Sequence, residues 1–225
     1  MPKKFIIWDW NGTLLDDMQI CIDGINQLLR DRSVKELTPG RYRDIFTFPV
    51  MEYYRTAGFD LEKEPFAFPA RQFINLYREK LGQSRLFPDA TSTLQYFKDK
   101  GYTQAILSAM EQELLDQTTD KFGIRNYFTA IQGINDHYAH SKVAQARSII
   151  KTLEASPENI TYIGDTIHDH EVGLETGCEV ILVSHGHQSE ERLLRTGRKV
   201  VGGLRGLTDN FPAEHPVFPP GWFRP

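Results

Sequence analysis

Short, continuous runs of apolar residues recur along the chain and alternate with stretches that have the spacing of amphipathic helices. The first run is Phe5–Trp8, and this unbroken apolar pattern is typical of a strand buried on both faces of a parallel sheet. Further strands are predicted at 102–107, 128–132, 159–163 and 179–183, with a short edge strand at 199–201. Strands that alternate with helices predict an α/β fold with a doubly wound, Rossmann-like parallel sheet.

Residues 17–85 lack the alternation typical of strands. Helices are predicted at 18–30, 38–46, 51–57 and 71–81, with Pro65 and Pro69 in a loop before the last one. A connection between two parallel strands does not need this length. We therefore predict an inserted all-helical cap domain at 17–85, and an α/β core made of 1–16 and 86–225. The alternative is that these helices pack directly on the sheet.

Composition limits the kinds of binding partner and the cellular compartment that are expected. The 225 residues carry a formal net charge of −4, which argues weakly against nucleic acid and anionic membranes as partners. No apolar run approaches the roughly 20 residues of a membrane span, and the first residues do not have the pattern of a signal peptide. Two cysteines, Cys21 and Cys178, do not make a disulfide framework, so a reducing cytoplasm and buried structural thiols are expected.

Polar residues of types that can catalyse reactions or bind metals stand where the predicted strands end. Asp9 follows the first strand, Ser108 the second and Asp165 the fourth, while Lys142 stands at the start of a helix that Ser141 is expected to cap. Because the carboxyl ends of parallel strands lie at one edge of a sheet, these side chains are expected to converge. Asp165 and Asp169, four residues apart beyond a strand, suit a hard divalent cation.

The stretch Asp9-Trp10-Asn11-Gly12-Thr13 resembles the first motif, Asp-x-Asp-x-Thr, of the haloacid dehalogenase superfamily of phosphohydrolases. The other three motifs of that superfamily have counterparts in the expected order. They are a strand ending in Ser108, a lone Lys142 near a helix start, and the stretch from Gly164 to Asp169. The resemblance covers nearly the whole chain and is strongest for the phosphoglycolate-phosphatase-like branch, which has a helical cap.

The resemblance implies a role for each matched residue. Asp9 is the nucleophile that forms an aspartyl-phosphate. The metal is Mg²⁺, held by Asp9, Asp165 and the main-chain carbonyl of Asn11, with Asp169 orienting metal-bound water. The phosphoryl oxygens are expected to contact residues of three loops: Gly12, Thr13, Ser108, Ala109 and Lys142.

The sequence departs from the motif at Asn11, where the superfamily has the Asp that protonates the leaving group. An amide cannot transfer a proton in that way, although its carbonyl remains available to a metal. Substitutes among the loop histidines are His137, His140, His168 and His170, each of which is also compatible with a surface or packing role. The histidine pair in His185-Gly186-His187 is compatible with zinc binding, but no Cys or His at zinc-like spacing accompanies it, which argues against a zinc site.

Three functions remain open from the sequence. The first is a Mg²⁺-dependent phosphatase of a small metabolite, for which Arg43 in the cap is a candidate substrate ligand. The second is another chemistry of the superfamily, either phosphonate cleavage with a cap lysine (Lys35, Lys63 or Lys80) or haloacid cleavage without a metal. The third is a weakly active or non-catalytic module that binds a phosphorylated ligand. A monomer or homodimer is expected.

Overall fold

The computed structural model describes residues 4–134 and 142–210. Six strands of these residues form one parallel sheet: β1 (Phe5–Trp8), β4 (Thr103–Glu111), β5 (Phe128–Ile134), β6 (Ile160–Gly164), β7 (Glu179–Val183) and β8 (Lys199–Val201). Their order is β5-β4-β1-β6-β7-β8, so the chain winds outward in both directions from β1. The sequence prediction of a doubly wound parallel sheet is confirmed.

β1 occupies the centre because its four residues are apolar on both faces. Ile6 and Trp8 pack into one hydrophobic cluster, and Phe5 and Ile7 pack into the other. This division follows from the alternation of side chains along a strand. Helices cover both faces of the sheet: α5 (Ala90–Asp99), α6 (Gln112–Lys121), α7 (Lys142–Thr152), α8 (Ile167–Thr176), α9 (Glu190–Leu194) and α10 (Leu204–Asn210).

Four further helices precede β4 in the chain: α1 (Met18–Asp31), α2 (Pro39–Ile45), α3 (Val50–Ala57) and α4 (Ala67–Leu81). They have their own hydrophobic cluster, which includes Leu29, Tyr42 and Tyr54. At the two ends of this helical segment, β2 (Leu15–Asp16) pairs antiparallel with β3 (Arg85–Leu86). The chain therefore enters and leaves the segment at one place, which suits an inserted cap, although the domain limits at 17 and 85 stay a prediction.

Two expected boundaries were wrong by more than two residues. α4 begins at Ala67 rather than Arg71. Pro69 is tolerated because the first backbone N–H groups of a helix have no intrahelical partner. β4 does not end before Ser108 but continues to Glu111, because the strand pairs with Ile134 of β5 after a shift in register. The predicted cap at Ser141, His137, His140 and the tail from residue 211 lie outside the described residues.

Candidate active site at the ends of the central strands

Polar side chains from four parts of the chain meet at the carboxyl end of the sheet. Asp9 follows β1, Asp165 follows β6, Ser108 lies within β4, and Lys142 is the first residue of α7. All four side chains are buried. The sheet brings them together although they lie far apart in sequence, because β1 pairs with both β4 and β6.

Lys142 links two of the carboxylates. Its Nζ lies 2.5 Å from Oδ1 of Asp9 and 2.6 Å from Oδ1 of Asp169. Burial lowers the pKa of Lys142, but the carboxylates of Asp169 and Asp9 outweigh it and raise that pKa well above its usual value. The ammonium group is therefore charged and fixed between two acceptors.

Asp9, Asp165 and Asp169 form a buried group whose ligand atoms all lie within 4.8 Å of one another. Burial raises the pKa of Asp9 well above its usual value and the pKa of Asp165 to about 6. Burial also raises the pKa of Asp169, but Lys142 and Thr166 outweigh it and hold that pKa below its usual value. Three carboxylates beside one ammonium leave negative charge in excess, and an oxygen-rich, negatively charged cluster of this kind fits a hard divalent cation.

Glycines make room for these carboxylates. A Cβ on Gly12 or on Gly186 would overlap Oδ2 of Asp165, and a Cβ on Gly164 would overlap the Asp169 carboxylate. Gly12 also has φ = +70°, a conformation that residues with a Cβ rarely adopt. The loops therefore approach the carboxylates more closely than any other residue would allow.

Helix α8 fixes Asp169 through a capping box. The Oγ1 of Thr166 donates to Oδ2 of Asp169 at 2.7 Å, and the Thr166 N–H donates to the same oxygen at 3.0 Å. The helix begins at Ile167, so Asp169 lies in its first turn. Its Oδ1 is then left to face Lys142.

Thr13 and Gly12 lie in the loop that follows β1 and contact carboxylates of the site. The Oγ1 of Thr13 is within 3.2 Å of Oδ1 of Asp165 and 3.5 Å of Oδ2 of Asp9. The N–H of Gly12 donates to the Leu15 carbonyl and to Oδ1 of Asp17. The expected contacts of Gly12 and Thr13 with a phosphoryl group stay predictions.

Both polar atoms of the Asn11 side-chain amide form hydrogen bonds. Its Nδ2 donates to Oδ2 of Asp17 at 2.7 Å and to the Tyr77 hydroxyl at 2.9 Å. Its Oδ1 accepts from Oγ of Ser108 at 3.2 Å, and that Oγ accepts from the N–H of Met110. The side chain thus joins the first loop to β4 and to helix α4.

Asp17, His187 and Tyr42 are part of the site but were not predicted to be. Nε2 of His187 lies 3.2 Å from Oδ1 of Asp17, and its Nδ1 lies 2.9 Å from the Tyr42 hydroxyl. Burial lowers the pKa of His187, but the Asp17 carboxylate outweighs it and raises that pKa to about 9. The sequence contained one indication of these residues, namely the histidine pair in a loop that follows a strand at the same edge of the sheet.

Cys21 lies beside this pair, and donor atoms of Asp17, Cys21 and His187 lie within 4.8 Å of one another. The ion pair between His187 and Asp17 accounts for the grouping, because a protonated imidazole offers no lone pair to a metal. Both cysteines are free thiols, with Cys178 buried and Cys21 partly buried.

The remaining candidates lie around the cluster. Nη2 of Arg43 donates to the carbonyl of His185, so this side chain ties α2 to the loop after β7. Ala109 is half-buried next to Ser108. His168 stacks on Phe48, and His170 accepts from Arg198. The roles of Arg43 and Ala109 in binding substrate stay predictions.

In the described ranges, none of the helices is both long enough and apolar enough for a membrane crossing.

The chain is similar to known proteins over most of its length. A family model described as "Haloacid dehalogenase-like hydrolase" matches residues 6–183. A phosphoglycolate phosphatase from Aquifex aeolicus is 24% identical over 187 residues, which are 82% of this chain and 86% of that protein. An N-acetylmuramic acid 6-phosphate phosphatase from Pseudomonas putida is 22% identical, over 83% of this chain and 85% of that one. A haloacid dehalogenase-like hydrolase structure from Streptococcus pneumoniae superposes with a TM-score of 0.80 at 20% identity, covering 93% of this chain and 99% of that one.

Proposed function

Because the chain belongs to the haloacid dehalogenase-like hydrolases, we propose that it is a Mg²⁺-dependent phosphohydrolase of a small organic phosphate, with phosphoglycolate as the first substrate to test. The observation that carries the proposal is the contact of Lys142 with both Asp9 and Asp169. A carboxylate beside a fixed cation, within reach of two more carboxylates, suits attack on a phosphoryl group.

In the proposed reaction, the Asp9 carboxylate attacks phosphorus and displaces the alcohol of the ester. An O–P bond to Asp9 forms, and the ester P–O bond breaks. Water then attacks the aspartyl-phosphate at phosphorus, which releases inorganic phosphate and restores Asp9. Lys142 would offset negative charge on the phosphoryl oxygens. The Ser108 hydroxyl, which donates to Oδ1 of Asn11 in the structure, would turn to donate to one of these oxygens.

The buried carboxylates fit Mg²⁺, as their oxygen donors and uncompensated charge suggest. Asp9, Asp165 and the main-chain carbonyl of Asn11 would hold the ion, and Asp169 would orient a water molecule bound to it. When bound, Mg²⁺ would neutralise charge that develops on the transferred phosphoryl group.

The leaving oxygen needs a proton when the alcohol is alkyl, and the Asn11 amide does not supply one. We therefore expect faster turnover of esters with good leaving groups, such as aryl phosphates, than of alkyl phosphates. General acid catalysis is typically worth ~10²–10⁴-fold, which sets the size of the expected difference.

The alternatives from the same family have less support. Phosphonate cleavage would need a cap lysine in the site, but Lys63 pairs with Asp60 and its side chain is 86% exposed. Lys35 is also exposed. Haloacid cleavage needs no metal cluster, whereas Asp165 and Asp169 lie beside Asp9.

The test is a screen of phosphate monoesters at high protein concentration, with Mg²⁺ and with a chelator. We expect turnover that requires Mg²⁺ and falls by on the order of 10³-fold or more in Asp9→Asn. The amide has nearly the same size and shape as the carboxylate, and Lys142 keeps Asp169 as a partner, so this variant should remain folded. Asp99→Asn on the exposed surface of α5 is the matched control.

Turnover that survives chelation would contradict the metal requirement. Full turnover in Asp9→Asn would exclude Asp9 as the nucleophile. Binding of phosphorylated compounds without any turnover would favour a non-catalytic module.

A further inference from the structure

The carboxylate of Asp17 is buried and accepts hydrogen bonds on both oxygens. Oδ2 accepts from Nδ2 of Asn11 and from the Tyr77 hydroxyl, each at 2.7 Å. Oδ1 accepts from the Gly12 N–H at 3.1 Å and from Nε2 of His187 at 3.2 Å. Sγ of Cys21 also lies 3.8 Å from Oδ2. Although Asp17 precedes α1, its side chain makes no capping hydrogen bond to that helix.

Asp17 determines which way the Asn11 amide is turned. A carboxylate only accepts hydrogen bonds, so the group that faces it from residue 11 must be a donor. Nδ2 therefore points to Asp17 and to the Tyr77 hydroxyl, and Oδ1 points to Ser108. Both polar atoms of the amide are therefore held by hydrogen bonds, and the amide has one orientation.

We propose that Asp17 is a positioning residue matched to Asn11, and that the two side chains form a donor–acceptor pair that holds the loop after β1 against β4. The two members of the pair are not equivalent, because the amide at residue 11 donates and the carboxylate at residue 17 accepts. An aspartate at residue 11 would bring two carboxylates into contact in a buried site, where like charges repel strongly.

The same contacts tolerate an exchange of the two residue types. With Asp at 11 and Asn at 17, the amide at 17 would donate to the carboxylate at 11. The Ser108 hydroxyl would still donate to residue 11, and the Gly12 N–H would still have an acceptor at residue 17. The Tyr77 hydroxyl, which accepts from Asn11 and donates to Asp17 in the structure, would instead accept from residue 17 and donate to residue 11. The exchange therefore keeps the hydrogen bonds of the pair with donor and acceptor interchanged, but it replaces the ion pair between Asp17 and His187 by a contact with a neutral amide.

The test is a double-mutant cycle with Asn11→Asp, Asp17→Asn and the doubly exchanged chain. Thermal unfolding is measured in the presence of a chelator, so that metal binding does not shift the melting temperature. Asn11→Asp should melt about 6–20 °C below the wild type, as expected when a buried charge loses its partner in a chain of this size. The doubly exchanged chain should regain at least half of the summed loss.

Gln19 and Asp23 provide the matched control, because Nε2 of Gln19 donates to Oδ1 of Asp23 on the exposed face of α1. The same exchange there, Gln19→Glu with Asp23→Asn, should shift melting by less than about 2 °C and show no recovery. Losses that simply add in the buried cycle would overturn the pairing, and so would an Asn11→Asp chain as stable as the wild type.

The positioning role has a kinetic readout that rests on the proposed function. With p-nitrophenyl phosphate at a temperature where every variant is folded, Asp17→Asn should lower kcat at least ~10-fold with little change in KM, as expected for a misplaced catalytic loop. An unchanged kcat would overturn the positioning role. A wild type without turnover would contradict the proposed function, while the melting cycle would still decide on the pair.

Discussion

The ammonium group of Lys142 lies 2.5 Å from Oδ1 of Asp9, and both side chains are almost completely buried. Lys142 also contacts Asp169, so one cation holds a carboxylate that follows β1 and another in the first turn of α8. Breaking a buried ion pair by removing one partner leaves an unpaired charge that is costly to keep away from water.

Lys142→Met should therefore destabilise the fold by about 3–5 kcal/mol, besides lowering any phosphatase activity. The measurement is urea unfolding in the presence of a chelator. Lys151→Met is the matched control, because Lys151 is exposed on the same helix and its loss should change stability by less than about 0.5 kcal/mol. Equal losses in the two variants would contradict the central place given to Lys142.

Gly186 should not tolerate even one added methyl group. A Cβ there would overlap Oδ2 of Asp165 and the carbonyl of Gly12, so Gly186→Ala must displace a carboxylate or the first loop. We expect a loss of about 1–3 kcal/mol together with weaker Mg²⁺ binding, measured by unfolding and by calorimetric titration. Gly202→Ala, where the added carbon would meet nothing within 4 Å, should leave both quantities unchanged.

The helical segment should open and close over the site. Polar contacts join it to the α/β core, among them the donation by Arg192 to the carbonyl of Phe46 and the contact of Tyr42 with His187. Orthovanadate with Mg²⁺ should therefore slow amide hydrogen exchange in α2, because a ligand in the site favours the closed arrangement. Helix α5, which packs on the sheet, is the internal control. Exchange in α2 that does not respond to this ligand would count against a mobile cap.

His185 should make stability depend on pH. Burial lowers the pKa of His185 to about 4, the carbonyl of Thr13 and the carboxylate of Asp89 oppose that change, and Arg43 adds to it. Between pH 6.5 and 4 the unfolded chain binds a proton at this residue that the folded chain does not, so stability falls as the pH falls through this window. The contribution is up to about 3 kcal/mol.

His185→Gln should flatten this dependence, because glutamine does not titrate and its amide can still donate to the Thr13 carbonyl. The measurement is the free energy of unfolding at several pH values from 4 to 7. A variant whose stability falls as steeply as that of the wild type would show that other groups carry the dependence.

The parts of the site that lie next to strands in sequence were predictable. Asp9 follows a short, fully apolar run and Asp165 follows a mostly apolar one, and such runs identify both a buried strand and its carboxyl end. The family resemblance added Ser108 and Lys142, whose neighbourhoods alone indicate little. The match of the family model to residues 6–183 confirms that resemblance.

The contacts made by Asp17 were not predictable in the same way. His187 is 170 residues away from Asp17 and Tyr77 is 60 residues away, and both contacts depend on how α4 and the loop after β7 pack. A carboxylate just before a helix is commonly a helix cap, but the side chain of Asp17 makes no capping hydrogen bond. Hydrogen-bond partners of this kind are set by tertiary packing, which a local pattern does not contain.

The central position of β1 has a consequence for the newly made chain. Phe5 pairs with Thr103 on one side and with Ile160 on the other, so the most apolar strand is synthesised long before either neighbour. At about 5–20 residues per second, roughly a hundred residues take ~5–20 s to follow on the ribosome. During that interval the strand has no partner in the sheet, whereas the four helices that come next can already assemble. Chaperones that shield short apolar segments would have their first substrate at residues 5–8.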